Sequence, residues 1–298
     1  MSKNLLLIKR LKIQNANAQS SPYSIGFPAI TAWLGAAHAL QRKLQQQTHY
    51  DGLEDLIFMG VGIVSHNFYL HTYKNNNQFE QDIIATGNPL DKSGKRPSFV
   101  EEPRCNLTLS LILEFDTEDH NDLIDAVYHT LPKLKMAGGD ILPFKKEQIS
   151  LLHLENDYEI HSLTAQLMPG FCLIERQDIM QTAMQTGQDA LDALLDTIKI
   201  THSCSTDDTT NKTTWQTQKQ QKGWIIPIGI GFQGISPPQK TQQQRDPDTP
   251  HRFAESVVTL AEFIMPYRLE TIQDILWYYQ PDLKNDLYLC QQQKPSST

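Results

Sequence analysis

The chain has 298 residues, of which 39% are hydrophobic, and a formal net charge of −8. This length is sufficient for a substantial core in one large domain or two. The apolar run at residues 5–8 is too short for a signal sequence or a membrane span, so we expect a soluble, cytoplasmic protein with no membrane contact. The cysteines are widely separated and form no CxxC pair, which predicts no metal site, no cofactor and a reducing compartment.

The basic residues are concentrated at the start of the chain. The first 50 residues contain six Lys or Arg and no Asp or Glu, which is a net charge of +6. Because the whole chain has a net charge of −8, residues 51–298 carry −14. This asymmetry predicts an N-terminal region that faces an anion on an otherwise acidic body. The overall charge argues against tight, non-specific binding of nucleic acid by the isolated chain.

A polar loop connects the first two predicted elements, an apolar strand over residues 5–13 and a helix that follows the Gly-Phe-Pro corner at residues 26–28. Asn15, Asn17 and Ser20 lie in this loop. With the free N–H groups at the start of the helix, they could bind a phosphate or a base edge. Alternatively they cap the helix and satisfy the turn, and the loop alone favours this second interpretation.

The next elements follow in a regular order. A second strand is predicted from Ile57, a long irregular excursion at residues 75–104, a strand at residues 107–113, a helix at residues 119–135 and a further strand near residues 141–143. The order strand, helix, strand, strand, helix, strand is that of a ferredoxin-like fold. This periodicity therefore predicts an α+β protein.

The second half of the chain carries weaker patterns. We expect helices at residues 179–200, 252–264 and 269–279, and a mobile loop at residues 201–222. Residues 236–250 are predicted to form a low-complexity linker. The buried stripe of the first of these helices is predicted to contain Leu191, Leu194, Leu195 and Ile198.

Several motifs, in order along nearly the whole chain, resemble one protein family. The motifs are RLKIQNANAQSSPYSIGFP and HALQRK near the start, MGVGIVSHNF from Met59, NPLDKSG from Asn88, VEEPR from Val100, MAGGDILP from Met136, LMPGF from Leu167, GWIIPI from Gly223 and LWYY from Leu276. Together they resemble the second subunit of the type I-F CRISPR surveillance complex, the Csy complex. None of these motifs is a catalytic signature.

The resemblance implies a domain organisation. A ferredoxin-like (RRM-like) palm is expected over residues 1–150, with a thumb-like β-hairpin insertion at about residues 75–104. A mixed, helix-rich extension is expected over residues 151–298. In this family the insertion folds over the RNA strand.

The resemblance also implies a function, a non-catalytic subunit that holds the 5′ handle of the guide RNA. Its partners would be the guide RNA, the large subunit and an adjacent backbone subunit. Whether it also contacts target DNA is left open by the sequence. The alternative is a metal-independent RNA endonuclease of the same fold, for which His38, His66 and Tyr23 are the acid–base candidates. A weaker third alternative is a scaffold that contacts only protein.

The candidate RNA-binding residues come from the polar loop and its Gly-Phe corner, the first helix, the second strand, the excursion, the glycine-rich turn and the second half of the chain. They are Asn15, Asn17, Ser20, Gly26, Phe27, Arg42, His66, Arg96, Arg104, Gly138, Gly139 and Arg252. Phe27 is expected to be available for base stacking, and Arg96 and Arg104 are expected to contact phosphates. Gly138 and Gly139 fit equally a tight turn with positive φ and a glycine-rich loop beside RNA. His66 fits a packed strand histidine better than a functional one.

Overall fold

The computed structural model describes residues 3–50, 52–78, 80–86, 89–98, 100–116, 122–156, 160–206, 210, 212–242, 244 and 246–293. Asn88, where one family motif begins, and the predicted start of the second helix at residue 119 lie outside this range. The protein is a mixed α+β structure with 44% strand and 23% helix. Within the described residues, no helix is long and apolar enough to cross a membrane.

The chain folds into five helices and nineteen strands within the described residues. The helices are α1 (Ile30–Gln45), α2 (Leu123–Thr130), α3 (His161–Leu167), α4 (Gln177–Gln185) and α5 (Ala190–Ile198). The strands are β1 (Lys3–Asn17), β2 (Gln19–Ser21), β3 (Ser24–Ile25), β4 (Ile57–Leu70), β5 (Thr72–Tyr73), β6 (Asp82–Ile83), β7 (Ala85–Thr86), β8 (Val100–Glu101), β9 (Arg104–Asp116), β10 (Lys135–Met136), β11 (Gly139–Ile141), β12 (Ile149–Leu154), β13 (Phe171–Glu175), β14 (Ile200–Thr206), β15 (Thr213–Lys219), β16 (Trp224–Gly234), β17 (Ala254–Ile264), β18 (Leu276–Asp282) and β19 (Leu287–Gln291).

The N-terminal half forms a four-stranded antiparallel unit in the order β12–β1–β9–β4. α1 connects β1 with β4, and α2 connects β9 with β12. The two helices contact each other and share a core with one face of the central strands, including the paired residues Leu11 and Leu109. α1 buries Trp33 and Leu40 at helical spacing, as the apolar pattern predicts. The first helix and the strands predicted over residues 5–13, from Ile57 and over residues 107–113 are therefore confirmed. The second helix is shorter than the predicted range of residues 119–135. The strand predicted near residues 141–143 is the short β11, and the fourth strand of the unit is β12, which the apolar pattern did not indicate.

The other edge of β4 joins the C-terminal half into the same sheet. Gly62 pairs with Leu276 of β18, and Val64 pairs with Cys172 of β13. Pairing then continues through β13, β17, β16, β19 and β18 and returns to β4, so six strands form a closed ring within the described residues. α1 also contacts β16, β18 and β19 of this ring.

The prediction of a helix-rich C-terminal part is wrong. The predicted helix at residues 252–264 is β17, and the one at residues 269–279 is a short 3-10 turn followed by β18. β17 contains the β-branched run at residues 257–259, and it pairs on both edges, with β13 and β16. Such a strand is buried on both sides near its centre, and its apolar residues therefore do not alternate.

Two further predictions in this half are corrected. The expected mobile loop at residues 201–222 contains β14 and β15, which pair as an exposed hairpin. The helix predicted at residues 179–200 is broken at Gly187, which has a φ of 92°. Leu191 and Leu195 are 58% and 48% exposed, and the buried residues of α5 are Ala193 and Thr197.

The excursion at residues 75–104 forms one short antiparallel ladder within itself and one with the residues just before it. β5 pairs with β6, and β7 pairs with β8. Most of its described side chains are exposed, including those of Lys92 and Arg96.

A buried ion pair ties the N-terminal strand to both halves of the sheet. Lys3 Nζ on β1 lies 3.1 Å from Glu114 Oε1 on β9, and the hydroxyl of Tyr278 on β18 donates to Glu114 Oε2 at 2.7 Å. A Cβ at Gly60 would lie 2.7 Å from the Tyr278 ring, so the glycine makes room for this contact. Breaking such a buried pair leaves an uncompensated charge, which is strongly destabilising.

The carboxyl group of Glu175, at the end of β13, has a raised pKa and is hydrogen-bonded to Gln292, which follows β19. The backbone N–H of Glu175 donates to Gln292 Oε1 at 2.8 Å, and the N–H of Gln292 donates to Glu175 Oε2 at 3.1 Å. Burial raises the pKa of Glu175 to about 7, against a weaker opposing effect of the Gln292 bond, and the Asp178 carboxylate raises it further. Because the folded state holds this proton more tightly than the unfolded chain, the resulting stability is present at low pH and is lost as the pH rises through 7.

We predict that Glu175→Gln stabilises the protein at high pH. At about pH 8 the amide removes the cost of a buried charge, and the free energy of unfolding should rise by about 1 kcal/mol relative to the parent. At about pH 5, where the parent carboxyl is protonated, this advantage should disappear. Urea unfolding at both pH values measures the difference. Glu255→Gln, on an exposed part of β17, is the control, and an equal effect of both substitutions at both pH values would contradict the assignment.

Candidate nucleic-acid interface

A bulge in β1 places Asn15 at the surface. The register between β1 and β9 shifts between Ile13 and Ala16, and Asn15 has a φ of 58°. Its N–H donates to Asn106 Oδ1 at 3.0 Å, and its carbonyl oxygen lies 3.5 Å from Arg104 Nη1. Bulges re-aim side chains at the edges of sites, and this one leaves the Asn15 side chain exposed.

The Asn15 cavity brings three candidate residues together. It measures about 420 Å³ and is lined by Asn15, Arg104 and Gly138 together with His71, Ile84 and Glu102. Arg104 also forms an ion pair of 3.2 Å with Glu102, and both side chains are more than a third exposed. The guanidinium is therefore held in place while part of it faces solvent.

The glycine pair turns the chain between β10 and β11. Ala137 and Gly138 have φ values of 48° and 74°, so the tight turn is confirmed at Gly138, whereas Gly139 already belongs to β11. A Cβ on Gly139 would lie 2.7 Å from the carbonyl oxygen of Gln14, so this glycine lets β11 approach β1. Gly138 is exposed and belongs to the walls of two neighbouring cavities.

The second of these cavities, the α1 groove, runs past the start of α1. It measures about 730 Å³, and its walls include Asn17, Ser20, Lys135 and Gly138. Ala29 is the N-cap of α1; within the described residues no side chain caps the helix, and its first turn contains no acidic residue. The free N–H groups and the helix dipole make such an end attractive to anions.

The polar loop satisfies its own hydrogen bonds. Asn17 Nδ2 donates to the carbonyl of Gln19 at 3.2 Å, and the N–H of Gln19 donates to Asn17 Oδ1 at 3.1 Å. The hydroxyls of Ser20 and Ser21 each lie 2.8 Å from that of Ser24. These contacts support the turn interpretation of the loop, but its side chains do not cap α1 as that interpretation expected.

The Gly26-Phe27 corner is packed against the core. The N–H of Gly26 donates to the carbonyl of Ala18 at 2.7 Å. Phe27 is only 4% exposed, and its ring centroid lies 5.3 Å from that of Phe263 and 5.8 Å from that of Trp33. The expectation that Phe27 is available for base stacking is therefore wrong.

Both ring nitrogens of His66 are occupied. Nδ1 lies 2.7 Å from the carbonyl of Pro169, to which it must donate, and Nε2 then accepts from the Ser110 hydroxyl at 2.7 Å. The backbone N–H of Arg10 donates to the same hydroxyl at 3.0 Å. Burial lowers the pKa of His66, against the bond to Pro169, and the Arg10 charge lowers it further, so the ring is neutral at physiological pH.

The remaining candidates lie away from the Asn15 cavity and the α1 groove. Arg42 is exposed in the last turn of α1, about 18 Å along the helix from its start. Arg252 donates to the carbonyl of Ser236 at 2.8 Å and forms an ion pair of 2.7 Å with Asp286. Arg96 lies in the excursion and lines neither cavity.

Lys135 is not among the candidate residues that the sequence indicated. In the structure Lys135 lines the α1 groove and forms an ion pair with Asp140. Its place on β10, opposite Asp140 of β11, could have been inferred only from the strand pairing. Among the described residues, no group of His, Cys, Asp and Glu side chains could hold a metal ion.

We predict that the two glycines of the turn respond differently to alanine. Gly139→Ala forces a Cβ against the β1 backbone and should cost about 2–3 kcal/mol of stability. Gly138→Ala meets no atom closer than Arg104 Nη1 at 3.9 Å, and its positive φ should cost about 1 kcal/mol. Urea unfolding of both variants measures the difference. Equal losses would contradict the close approach of β11 to β1.

Nearly the whole chain is similar to known proteins. The family model for CRISPR-associated protein (Cas_Csy2) matches residues 6–290. The CRISPR-associated protein Csy2 of Pseudomonas aeruginosa (strain UCBPP-PA14) is 33% identical over 314 residues, an alignment that covers 95% of this chain and 94% of that protein. These matches confirm the resemblance carried by the ordered motifs. The chain belongs to the Csy2 family of CRISPR-associated proteins.

Proposed function

We propose that this chain is a non-catalytic RNA-binding subunit of a type I-F CRISPR surveillance complex, that it holds the 5′ handle of the guide RNA, and that it pairs with the large subunit. One observation carries the proposal. Asn15, Arg104 and Gly138 come from three distant segments and line one cavity, which meets the α1 groove at Gly138.

The strand order supports a ferredoxin-like palm in the N-terminal half. The order β12–β1–β9–β4, with α1 and α2 packed on one face, is the arrangement that the βαββαβ pattern produces. One end of the opposite face, with Leu5, Leu7 and Ile112, is buried in a second apolar cluster against α3. The other end is polar, and there Lys12, Gln14, Asn67 and Asn106 help to line a further cavity of about 290 Å³. RRM domains of this topology bind single-stranded RNA on the equivalent face.

The chemistry of the walls fits RNA better than a charged small molecule. Among the polar side chains of the α1 groove, most carry amide or hydroxyl groups that both donate and accept hydrogen bonds, and such groups read base edges. Arg104 supplies a cation for a phosphate, and the uncapped N-terminus of α1 supplies backbone N–H groups.

The positions of the acid–base candidates favour binding without cleavage. Tyr23 lies in the turn between β2 and β3, His38 on α1 and His66 on β4. Acid–base catalysis needs such groups within hydrogen-bond reach of one reacting atom. His66 already uses both ring nitrogens for contacts within the protein.

The net charge of −8 favours a partner that supplies further cations to the RNA. We propose that the large subunit is this partner, next to an adjacent backbone subunit. Target DNA is a further proposed contact of the assembled complex. We place this assembly in the cytoplasm.

Co-expression tests these proposals. The chain is produced alone, with the large subunit, and with the large subunit and guide RNA. We expect intact RNA to co-purify with the pair and only weakly with the single chain. Incubation of repeat RNA with the purified chain, with and without EDTA, should yield no product. A discrete cut would favour the endonuclease, and a pair that protects no RNA would favour the protein scaffold.

We predict that Arg104→Gln weakens RNA binding through one lost phosphate contact. In the complex with the large subunit, the slope of log Kd against log salt concentration should fall by about 0.7–1 unit. Filter binding over a series of KCl concentrations measures this slope. Arg268→Gln, at an exposed arginine that lines neither the Asn15 cavity nor the α1 groove, should leave the slope unchanged. An equal slope for Arg104→Gln and the parent would contradict the contact.

A further inference from the structure

A recess lined by aromatic rings lies beside the Gly26-Phe27 corner, and we call it the aromatic recess. It measures about 330 Å³, and five aromatic side chains contribute to its walls, namely Phe27, Phe68, Phe171, Trp224 and Phe263. The Trp224 ring centroid lies 5.6 Å from that of Phe171 and 5.3 Å from that of Phe263. The neighbouring rings therefore support the indole on more than one side.

The exposure of Trp224 distinguishes it from the core tryptophans. Trp33 and Trp277 are fully buried, whereas Trp224 is 58% exposed at the recess. Phe68 is also 36% exposed. Large aromatic surfaces that line a recess but remain open to solvent are typical of binding sites for planar or apolar groups.

The polar groups of the recess differ in their availability. His66 is held by Pro169 and Ser110, so it contributes the side of its ring and no free nitrogen. Asn67 is exposed, and within the described residues its side-chain amide makes no hydrogen bond. An exposed amide at a ring-lined recess can pair with the edge of a planar, hydrogen-bonding ring.

The aromatic recess is continuous with the polar end of the sheet face opposite α1 and α2. Asn67 lines both the recess and the cavity that contains Lys12, Gln14 and Asn106. Gln14 precedes Asn15, which lines the next cavity toward the α1 groove. An extended strand with alternating phosphates and bases would meet cationic and amide groups along this face and aromatic rings at its end.

We propose that the aromatic recess binds one unpaired base of the guide RNA, which stacks on Trp224 and presents its edge to Asn67. This inference rests on the proposed function and specifies one subsite. A base fits better than an apolar side chain of a protein partner, because the recess combines ring faces with an open amide and adjoins polar cavities. Stacking on an aromatic side chain tolerates any base, so the recess selects an unstacked nucleotide and Asn67 supplies the discrimination among bases.

The test pairs a protein variant with abasic RNA. The complex with the large subunit is assembled from the parent chain or Trp224→Ala, and its affinity is measured for guide RNAs that each carry one abasic site in the handle. Loss of one stacked base should weaken binding by about 5- to 150-fold at a single handle position. Trp224→Ala should weaken binding to normal RNA by a similar factor, and it should cause no further loss with that abasic RNA.

Three further variants control for indirect effects. Trp224→Phe keeps a ring and should restore most of the affinity, and Phe171→Ala should weaken binding at the same handle position. Trp215→Ala removes a tryptophan that is 70% exposed on the β14–β15 hairpin, outside the recess, and should change nothing. Thermal melting of each variant verifies that it folds.

The possible outcomes separate this inference from the proposed function. If the parent complex binds RNA but Trp224→Ala and Phe171→Ala bind equally well, the subsite is disproved while the proposed function stands. If Trp224→Ala weakens binding to every abasic RNA by the same factor as to normal RNA, no base occupies the recess. If it weakens association with the large subunit in the absence of RNA, a protein side chain occupies the recess. A parent complex that binds no RNA overturns both proposals.

Discussion

The antiparallel pairing of β1 with β9 is the constraint on which the other elements depend. β1 lies between β9 and β12, and its two bulges interrupt the ladder at Arg10 and Asn15, which have φ values of 51° and 58°. In each bulge the N–H is bound by a side chain of β9, Ser110 for Arg10 and Asn106 for Asn15. These two side chains bind backbone donors that the ladder leaves unpaired, and in this way they stabilise both bulges. One bulge supports the His66 contacts and the other shapes the Asn15 cavity.

The sequence predicts α1 and the first half of β9 well because each of them buries one face. α1 shows a stripe with Trp33 and Leu40, and β9 alternates between apolar residues such as Leu109 and polar ones such as Thr108. In the closed ring this signal is lost, because a strand such as β17 is covered on both sides near its centre and exposed at its start. The β14–β15 hairpin is exposed on every residue, so its sequence contains no apolar pattern at all.

The candidate site could be predicted only in part. The polar loop was identified by composition, but composition does not show that Asn17 and Gln19 satisfy each other. The basic N-terminal segment also does not form one patch. Lys3 is buried beside Glu114, and Arg42 lies at the far end of α1. Lys135 and the rings of the aromatic recess reach their positions through strand pairing over long sequence distances, for which a single sequence gives no local signal.

Neutral groups predominate among those open to a ligand, and this agrees with the charge of the chain. Asn15 and Asn67 present exposed amides, Trp224 presents an indole, and α1 presents backbone N–H groups, whereas Lys3 and Arg252 are engaged in ion pairs. Uncharged groups gain little from long-range attraction, so they recognise a strand only after it has been brought close. On a body with a net charge of −8, that attraction must come from a partner. We therefore propose that the two subunits have different roles in RNA binding. The cations of the partner attract the RNA, and the neutral groups of this chain bind its bases.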